Sequence, residues 1–253
     1  MSTHFRVDGK IALVTGAGRG IGLAIAKALA ASGALVAIQD IELAVAQKEA
    51  DAINASGGKA IALGGDIGDP TLPERLIQES VSSLGGLHIL INNAAIQVER
   101  HWMESTPDEL ERLLRADLIA PIRLCQLAVP IFKAQRFGRI INIGSIQQKS
   151  GNVTMLGYSL SKAALEKFTI AIAGDLAKDQ ITVNLIAPGW VNTYRNRADF
   201  ASPEDLKKKG RHIPIGRIAE PEDHVGIALL LCSEAGSYIT GQSIYVDGGL
   251  SAR

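Results

Sequence analysis

The segment GYSLSKAAL places a phenol four residues before an ammonium, at Tyr158 and Lys162. Residues at i and i+4 share one face of an α-helix, so both side chains can reach the same small molecule. A free phenol ionises only near pH ~10, whereas a cation on the next helical turn favours the phenolate. The pair therefore suits proton transfer at an alcohol or carbonyl oxygen, and a tyrosine that merely lies on a helix surface is the plainer alternative.

Short apolar runs rich in valine and isoleucine alternate with amphipathic stretches along the chain. These runs are IALVT (11–15), ALVAI (34–38), KAIAL (59–63), LHILIN (87–92), RIINIG (139–144), ITVNLI (181–186) and SIYV (243–246). Because they are apolar throughout, they indicate strands covered on both faces, joined by the crossover helices of a parallel sheet. We predict an α/β fold, a single-domain doubly wound parallel sheet over residues 1–253, with about seven strands and helices on both faces.

The composition excludes several classes of protein. Basic and acidic residues number 26 each, so no net field is available to hold nucleic acid or an anionic membrane. The histidines have no ligand spacing, and we predict no metal site. Cys125 and Cys232 lie in apolar stretches that suit reduced, buried thiols, and the N-terminus has no export signal. We expect a cytoplasmic protein.

A glycine-rich turn, TGAGRGIG at 15–22, follows the first predicted strand and precedes a helical pattern. This order brings backbone N–H groups at a helix N-terminus to a pyrophosphate. Asp40 ends the second predicted strand, near the ~20 residues expected before the carboxylate that accepts the adenosine ribose hydroxyls. A 2′-phosphate would meet like charge there, so Asp40 favours NAD over NADP, although Arg19 in the turn could reach such a phosphate. Plainer roles are a helix N-cap for Asp40 and a turn for Asp66, whose sharper alternative is an adenine contact.

Five motifs occur in order along the chain: TGAGRGIG at 15–22, NNAA at 92–95, NIGS at 142–145, YSLSK at 158–162 and APGWVNT at 187–193. Together they resemble the short-chain dehydrogenase/reductase family over nearly the whole chain. The resemblance implies Ser145, Tyr158 and Lys162 as catalytic residues, and it puts Asp117 where the family usually has a proton-relay asparagine. The cofactor contacts expected on this basis are Gly16, Arg19, Gly20, Ile21, Gly22, Asp40, Asp66, Ile67, Asn92, Ala94, Tyr158, Lys162, Pro188, Gly189, Val191 and Thr193.

The implied roles agree with the chemistry of the residue types. Tyr158 would be the general acid/base, Ser145 would hold the reacting oxygen by hydrogen bonding, and Lys162 would also bind the nicotinamide ribose. Asp117 can hold a relay water, but its negative charge near the phenolate opposes Lys162.

The substrate is less strongly specified. An irregular stretch from Ala187 and a helical patch through Lys209 predict a substrate lid at about residues 187–212. The polar pocket candidates are Gln97, Gln147, Asn152, Trp190 and Arg195, together with His101, Trp102, Gln148, Asn192 and Tyr194. Amide side chains suit a polyhydroxylated substrate, because each buried hydroxyl needs a hydrogen-bond partner.

The sequence thus predicts NAD-dependent hydride transfer at a secondary alcohol, sugar or polyol hydroxyl. One alternative is NADPH-dependent reduction of a 3-oxoacyl thioester, and a further one is a noncatalytic dinucleotide-binding sensor. The resemblance also suggests a homotetramer, because the helices that contain LIAPIRLCQLAVPIF and AALEKFTIAIAGDLA carry more apolar surface than one sheet face needs.

Overall fold

The computed structural model of the protein describes residues 3–197, 200 and 202–252. Within these residues one parallel sheet is formed by β1 (Ile11–Val14), β2 (Leu35–Asp40), β3 (Lys59–Gly64), β4 (Ile89–Asn92), β5 (Gly138–Ile143), β6 (Ile181–Pro188) and β7 (Ser243–Val246). The strand order is β3-β2-β1-β4-β5-β6-β7. The order reverses between β1 and β4, which is where a doubly wound sheet opens a crevice at its carboxyl edge. The predicted fold class is confirmed.

Helices cover both faces of this sheet. They are α1 (Gly20–Ala31), α2 (Leu43–Ala55), α3 (Leu72–Leu84), α4 (Pro107–Leu114), α5 (Ala120–Gln135), α6 (Leu156–Ala177), α7 (Pro203–Gly210) and α8 (Val225–Cys232). Helices α1, α2 and α8 contribute to the hydrophobic core on one face, and α3, α5 and α6 to the core on the other. Within the described part of the chain, no helix combines the length and the apolar character needed to cross a bilayer.

Strand β1 shows why the apolar runs form a central sheet. Its residues are all buried, with Ala12 and Val14 in one core and Ile11 and Leu13 in the other. Successive side chains of a strand point to opposite faces, so a strand between two helical layers needs apolar residues at every position. Both cysteines are free thiols buried in these apolar layers. Burial raises the pKa of each thiol to about 12.

The predicted lid begins later than the sequence suggested. Ala187 and Pro188 pair with Tyr245 and Val246 of β7, so β6 extends through Pro188 and the irregular segment starts at Gly189. The segment then forms a 3₁₀ turn at Tyr194–Asn196 and leads to α7. Residues 198, 199 and 201 of the predicted lid lie outside the described residues.

Candidate active site

The glycine-rich turn between β1 and α1 is shaped for close approach by a ligand. Gly16 and Gly20 have φ angles of 61° and 56°, which L-residues rarely adopt. A Cβ on Gly18 would lie 2.6 Å from Asp40 Oδ2, so only glycine lets the turn close over the end of β2. Open backbone N–H groups at the start of α1 then form the kind of cradle that a dinucleotide pyrophosphate requires.

Asp40 is buried beneath this turn. Its Oδ2 accepts the backbone N–H of Gly18 at 3.2 Å, and its Oδ1 accepts that of Glu42 at 3.0 Å. Each carboxylate oxygen has a second lone pair, which leaves Asp40 able to accept hydroxyl groups from a ligand. Asp40 is not the N-cap of α2, because that helix begins at Leu43 with Glu42 as its N-cap.

Arg19 projects from the same turn between a carboxylate and an aromatic ring. Its Nη2 donates to Glu42 Oε1 at 2.7 Å, and this hydrogen bond is the main reason that the pKa of Arg19 is raised. Its Cζ lies 4.6 Å from the ring centroid of Tyr194, and Arg197 Cζ lies 3.8 Å from that same centroid. The ring of Tyr194 therefore contacts two guanidinium groups, one from the glycine turn and one from the predicted lid.

The predicted catalytic side chains lie together at the ends of β5 and α6. Tyr158 and Lys162 are 7% and 2% exposed, and Lys162 Nζ lies 5.5 Å from the ring centroid of Tyr158. Lys162 Nζ also donates to the carbonyl of Ile143 at 3.0 Å, which anchors the cation to the last residue of β5. Ser145 Oγ accepts the N–H of Gln147 at 3.1 Å, so its own hydroxyl proton is free to be donated to a ligand oxygen.

Asp117 lies behind these residues in a π-helical turn, Arg115–Ile119, between α4 and α5. It is fully buried, and its Oδ2 lies 4.0 Å from Lys162 Nζ. Burial raises the pKa of this carboxyl group, and the positive charges of Lys162 and Arg195 act in the opposite direction. Asp117 thus adds a titratable group to the surroundings of Lys162.

One peptide unit connects this carboxylate to Arg195. The carbonyl of Ala95 accepts a hydrogen bond from Arg195 Nη2 at 2.7 Å. The N–H of the next residue, Ile96, donates to Asp117 Oδ1 at 2.8 Å. The Arg195 guanidinium and the buried carboxylate therefore bind opposite sides of the same peptide unit.

A cavity of about 550 Å³ joins the glycine turn to the catalytic residues. Its volume falls in the usual range for ligand sites in proteins. The predicted residues that line it are Gly16, Arg19, Gly20, Ile21, Asp40, Asp66, Ile67, Ala94, Gln97, Ser145, Gln147, Asn152, Tyr158, Lys162, Pro188, Gly189, Trp190, Val191, Thr193, Tyr194 and Arg195. The structure brings these residues together around one continuous cavity.

Two predicted cofactor contacts do not line the cavity. Asn92 is buried in the core, where its Nδ2 donates to Asn142 Oδ1 at 2.8 Å, so its side chain does not face the cavity in which the adenosine is predicted to bind. Gly22 lies outside the wall, and a Cβ there would be 2.4 Å from Asn93 Nδ2. Gly22 therefore serves the packing of α1 against the loop after β4.

Asn93, which the sequence reasoning missed, takes the place expected of Asn92. It lines the cavity, and its Nδ2 donates to the carbonyls of Thr15 and Gly16 at 2.9 Å each. These bonds tie the loop after β4 to the glycine turn. Further lining residues that were not predicted are Gln39, Ile41, Gly65, Ala95, Ile96, Glu99, Ile143, Gly144, Ile146, Met155, Asn196, Phe200 and Lys209.

Four further residues predicted for the substrate pocket do not line the cavity: His101, Trp102, Gln148 and Asn192. Their side chains serve local structure or face solvent. Gln148 Nε2 donates to Tyr245 Oη at 2.9 Å, and Asn192 Nδ2 donates to Glu220 Oε1 at 3.1 Å. Among the described residues, no group of histidine, cysteine, aspartate or glutamate side chains could hold a metal ion.

Comparison with known proteins places this site in a familiar context. A family model described as Enoyl-(Acyl carrier protein) reductase matches residues 16–251. The 3-oxoacyl-[acyl-carrier-protein] reductase of Aquifex aeolicus (strain VF5) is 35% identical over 248 residues, which cover 98% of this chain and 99% of the relative.

Two solved structures are similar over nearly their whole length. A gluconate 5-dehydrogenase from Burkholderia cenocepacia J2315, in complex with NADP and tartrate, is 32% identical with a TM-score of 0.92, covering 99% of this chain and 98% of that one. A 7α-hydroxysteroid dehydrogenase complexed with NADH and 7-oxo glycochenodeoxycholic acid is 35% identical with a TM-score of 0.93, covering 98% and 97%. The similar proteins thus use either nicotinamide dinucleotide and act on different substrates.

Proposed function

This chain belongs to the short-chain dehydrogenase/reductase family, and we propose that it transfers a hydride between a secondary alcohol of a polyhydroxylated small molecule and NAD. The coarser statement is that it is an oxidoreductase of CH–OH and C=O groups with a nicotinamide dinucleotide as cofactor. The observation that carries the proposal is the meeting of Ser145, Tyr158 and Lys162 in one cavity that also contains the glycine turn. When bound, the nicotinamide ring accepts or donates the hydride.

The protein's own groups handle the proton. The Lys162 ammonium, anchored on the carbonyl of Ile143, lies near the Tyr158 ring and stabilises negative charge that develops on the phenol oxygen during proton transfer. Tyr158 then takes the proton from the substrate hydroxyl, or returns it to the carbonyl oxygen in the reverse direction. The Ser145 hydroxyl donates a hydrogen bond to that same substrate oxygen and holds it in place. Asp117 opposes Lys162 only to the extent that it is ionised.

Asp40 supports the choice of NAD. It is buried at the carboxyl end of β2, and both of its oxygens accept backbone N–H groups, which fixes the orientation of the carboxylate. A 2′-phosphate at this position would add negative charge beside a carboxylate, whereas two ribose hydroxyls would donate to it. We therefore assign NAD as the preferred cofactor.

The polar wall near Tyr158 supports a substrate rich in hydroxyl groups. Gln97, Gln147 and Asn152 line the cavity, and Gln147 Oε1 is buried without a hydrogen-bond partner among the described residues. A buried unpaired amide oxygen is costly unless a ligand donates to it. Trp190 and Arg195 close the same region from the lid.

A substrate panel read by NADH absorbance tests the proposal. Aldoses, polyols and simple secondary alcohols are supplied with NAD⁺, and 3-oxoacyl thioesters with NADH or NADPH. We expect turnover of a polyhydroxylated alcohol with NAD⁺, and its loss in Tyr158→Phe, with Tyr238→Phe as an exposed control outside the cavity. Absence of hydride transfer with every substrate, or full activity of Tyr158→Phe, would contradict the proposal.

A second candidate function is reduction of a 3-oxoacyl thioester with NADPH. It is favoured by the similarity to the Aquifex aeolicus reductase over the whole chain and by apolar residues beside the amides, including Ile96, Ile146 and Met155. The thioester arm of the same panel decides between the two, because one of the two substrate classes should dominate kcat/KM.

We also propose a cytoplasmic homotetramer. Ile119, Leu160 and Ile170 expose about half of their apolar side chains around α5 and α6. Such residues are common where subunits pack, and the two buried free thiols suit a reducing compartment. Light scattering coupled to size exclusion measures the mass directly, and a monomeric mass would rule the assembly out.

A further inference from the structure

Arg19, the cation of the glycine turn, is paired with a carboxylate that does not line the cavity. Arg19 lines the cavity close enough to Asp40 for that carboxylate to contribute to its raised pKa, after the larger effect of Glu42. A guanidinium beside the ribose position is the group that would bind a 2′-phosphate. Here its Nη2 donates instead to Glu42 Oε1 at 2.7 Å, and Glu42 does not line the cavity.

A second contact keeps the guanidinium in this arrangement. Arg19 Cζ lies 4.6 Å from the ring centroid of Tyr194, a lid residue that also stacks with Arg197. The side chains of Arg19 and Glu42 are 32% and 57% exposed, so the ion pair is partly screened and a ligand charge can compete with it. The pair therefore holds Arg19 weakly, but in a defined direction.

We infer that Glu42 is a specificity-determining residue that disfavours NADP by occupying Arg19. Asp40, Glu42 and Arg19 together carry one negative charge, and a 2′-phosphate gains Arg19 only by displacing Glu42. Without Glu42, the same three positions are neutral and the guanidinium is free to turn toward the phosphate. The inference deepens the proposed function, because it rests on the dinucleotide binding with its adenosine ribose at Asp40.

Competition for Arg19 and simple like-charge repulsion predict different effects of removing Glu42 on NADP binding, depending on whether Arg19 is present. If Glu42 acts by holding Arg19, its removal helps NADP only while the guanidinium is present. If Glu42 acts by its negative charge alone, its removal helps NADP equally with or without Arg19. A double-mutant cycle of these two residues separates the mechanisms.

The test measures Kd for NAD⁺ and NADP⁺ by isothermal titration calorimetry on the purified protein, independently of turnover. For Glu42→Gln we expect the ratio of Kd(NADP⁺) to Kd(NAD⁺) to fall by about 3- to 10-fold, the range of a partly exposed ion pair with some extra charge repulsion. The matched control is Glu49→Gln, because Glu49 also joins α2 to α1 through an ion pair, with Lys27 at 2.7 Å. Neither Glu49 nor Lys27 lines the cavity, so this ratio should stay unchanged.

The cycle is completed with Arg19→Met and with the Arg19→Met, Glu42→Gln double variant. We expect Glu42→Gln to change the ratio less than 2-fold when Arg19 is absent. An equal gain in both backgrounds, no gain in either, or an equal gain from Glu49→Gln would overturn the inference. If wild-type protein binds NADP⁺ more tightly than NAD⁺, the proposed cofactor is wrong, while the cycle still reports whether Glu42 restrains Arg19.

Discussion

Two cation and carboxylate pairs belong to the same site, and burial gives them different consequences. Arg19 and Glu42 meet over 2.7 Å at the surface beside the glycine turn, where water and salt screen their charges. Lys162 and Asp117 are farther apart, at 4.0 Å, but both are removed from solvent. A ligand charge can therefore compete with the exposed pair, whereas in the buried pair the loss of water raises the pKa of Asp117 against the opposing charge of Lys162. Separation alone is therefore a poor guide to what an ion pair does.

The largest expected effect comes from breaking the buried pair at its cation. Lys162→Met removes the charge that stabilises the phenol oxygen of Tyr158 during proton transfer, and we expect kcat to fall by about 10²- to 10⁴-fold. Steady-state kinetics at saturating cofactor measure the loss. Lys167→Met, an exposed lysine on the same helix, is the control, and an equal loss there would point to damage to α6 instead.

A volume change at the glycine turn should have the next largest effect. In Gly18→Ala the new Cβ would lie 2.6 Å from Asp40 Oδ2, so Asp40 or the turn must move. We expect Kd for NAD⁺ to rise by about 10-fold and stability to fall by about 1–3 kcal/mol, as for an overpacked core position. Calorimetric titration and urea denaturation measure the two quantities. As a control, Gly57 has open space around it but a positive φ, so Gly57→Ala should affect stability without changing Kd.

Asp117→Asn removes the buried negative charge while keeping an acceptor for the N–H of Ile96. Because burial raises the pKa of Asp117 in the folded protein, the native state binds a proton more tightly than the unfolded state does. Wild-type stability should therefore fall as pH rises from the ordinary value of 3.8 through the raised pKa, and this fall should be absent in Asp117→Asn.

Urea denaturation of both proteins between pH 4 and 8 measures that difference, and parallel stability curves would show that Asp117 is not coupled to folding. The kcat/KM of the variant should exceed that of wild type by about 3- to 10-fold at pH values where Asp117 is ionised, since one charge no longer opposes Lys162, and the two should converge in more acidic solution. Asp108→Asn, at an exposed position on α4, supplies the control.

The smallest effect is expected at a third pair, Arg217 and Asp223, which lies outside the main cavity. Two hydrogen bonds of 2.6 Å from Arg217 hold the pKa of Asp223 down at about 2. The ion pair stabilises the folded protein at pH values above 3.8, the ordinary pKa of an aspartate. This contribution is lost as the pH falls from 3.8 through about 2.

We expect Asp223→Asn to lower Tm by roughly 2 °C at neutral pH and to leave the NAD⁺ affinity unchanged. Differential scanning calorimetry at pH 7 and pH 3 should show that the difference from wild type narrows in acid. A difference of equal size at both pH values would exclude the ion pair as its source.

The fold could be predicted because its strands are buried on both faces. The run IALV carries no polar position that would obscure its length, ILIN has its one polar residue at the end, and the glycine turn marks where the first strand ends. The proximity of Tyr158 and Lys162 could also be predicted, since helical spacing alone places them on the same face of a helix.

Other parts of the site depend on contacts that form only in the folded chain. Asn92 and Asn93 have the same side chain, and a shift of one position along a strand decides which of them faces the cavity. Asp117 reaches Lys162 from a π-helical turn whose presence no spacing in the sequence indicates. Arg19 and Glu42 meet because β1 and β2 are neighbours, and long exposed side chains choose their partners after the backbone is in place.

The peptide unit between Ala95 and Ile96 links two parts of the site mechanically. A peptide group is planar and nearly rigid, so its carbonyl and its N–H must rotate as one piece. Arg195 at the carbonyl and Asp117 at the N–H therefore fix the orientation of one rigid plane from its two sides. The cavity wall and the carboxylate behind Lys162 are in this way joined through main chain, without any direct contact between their side chains.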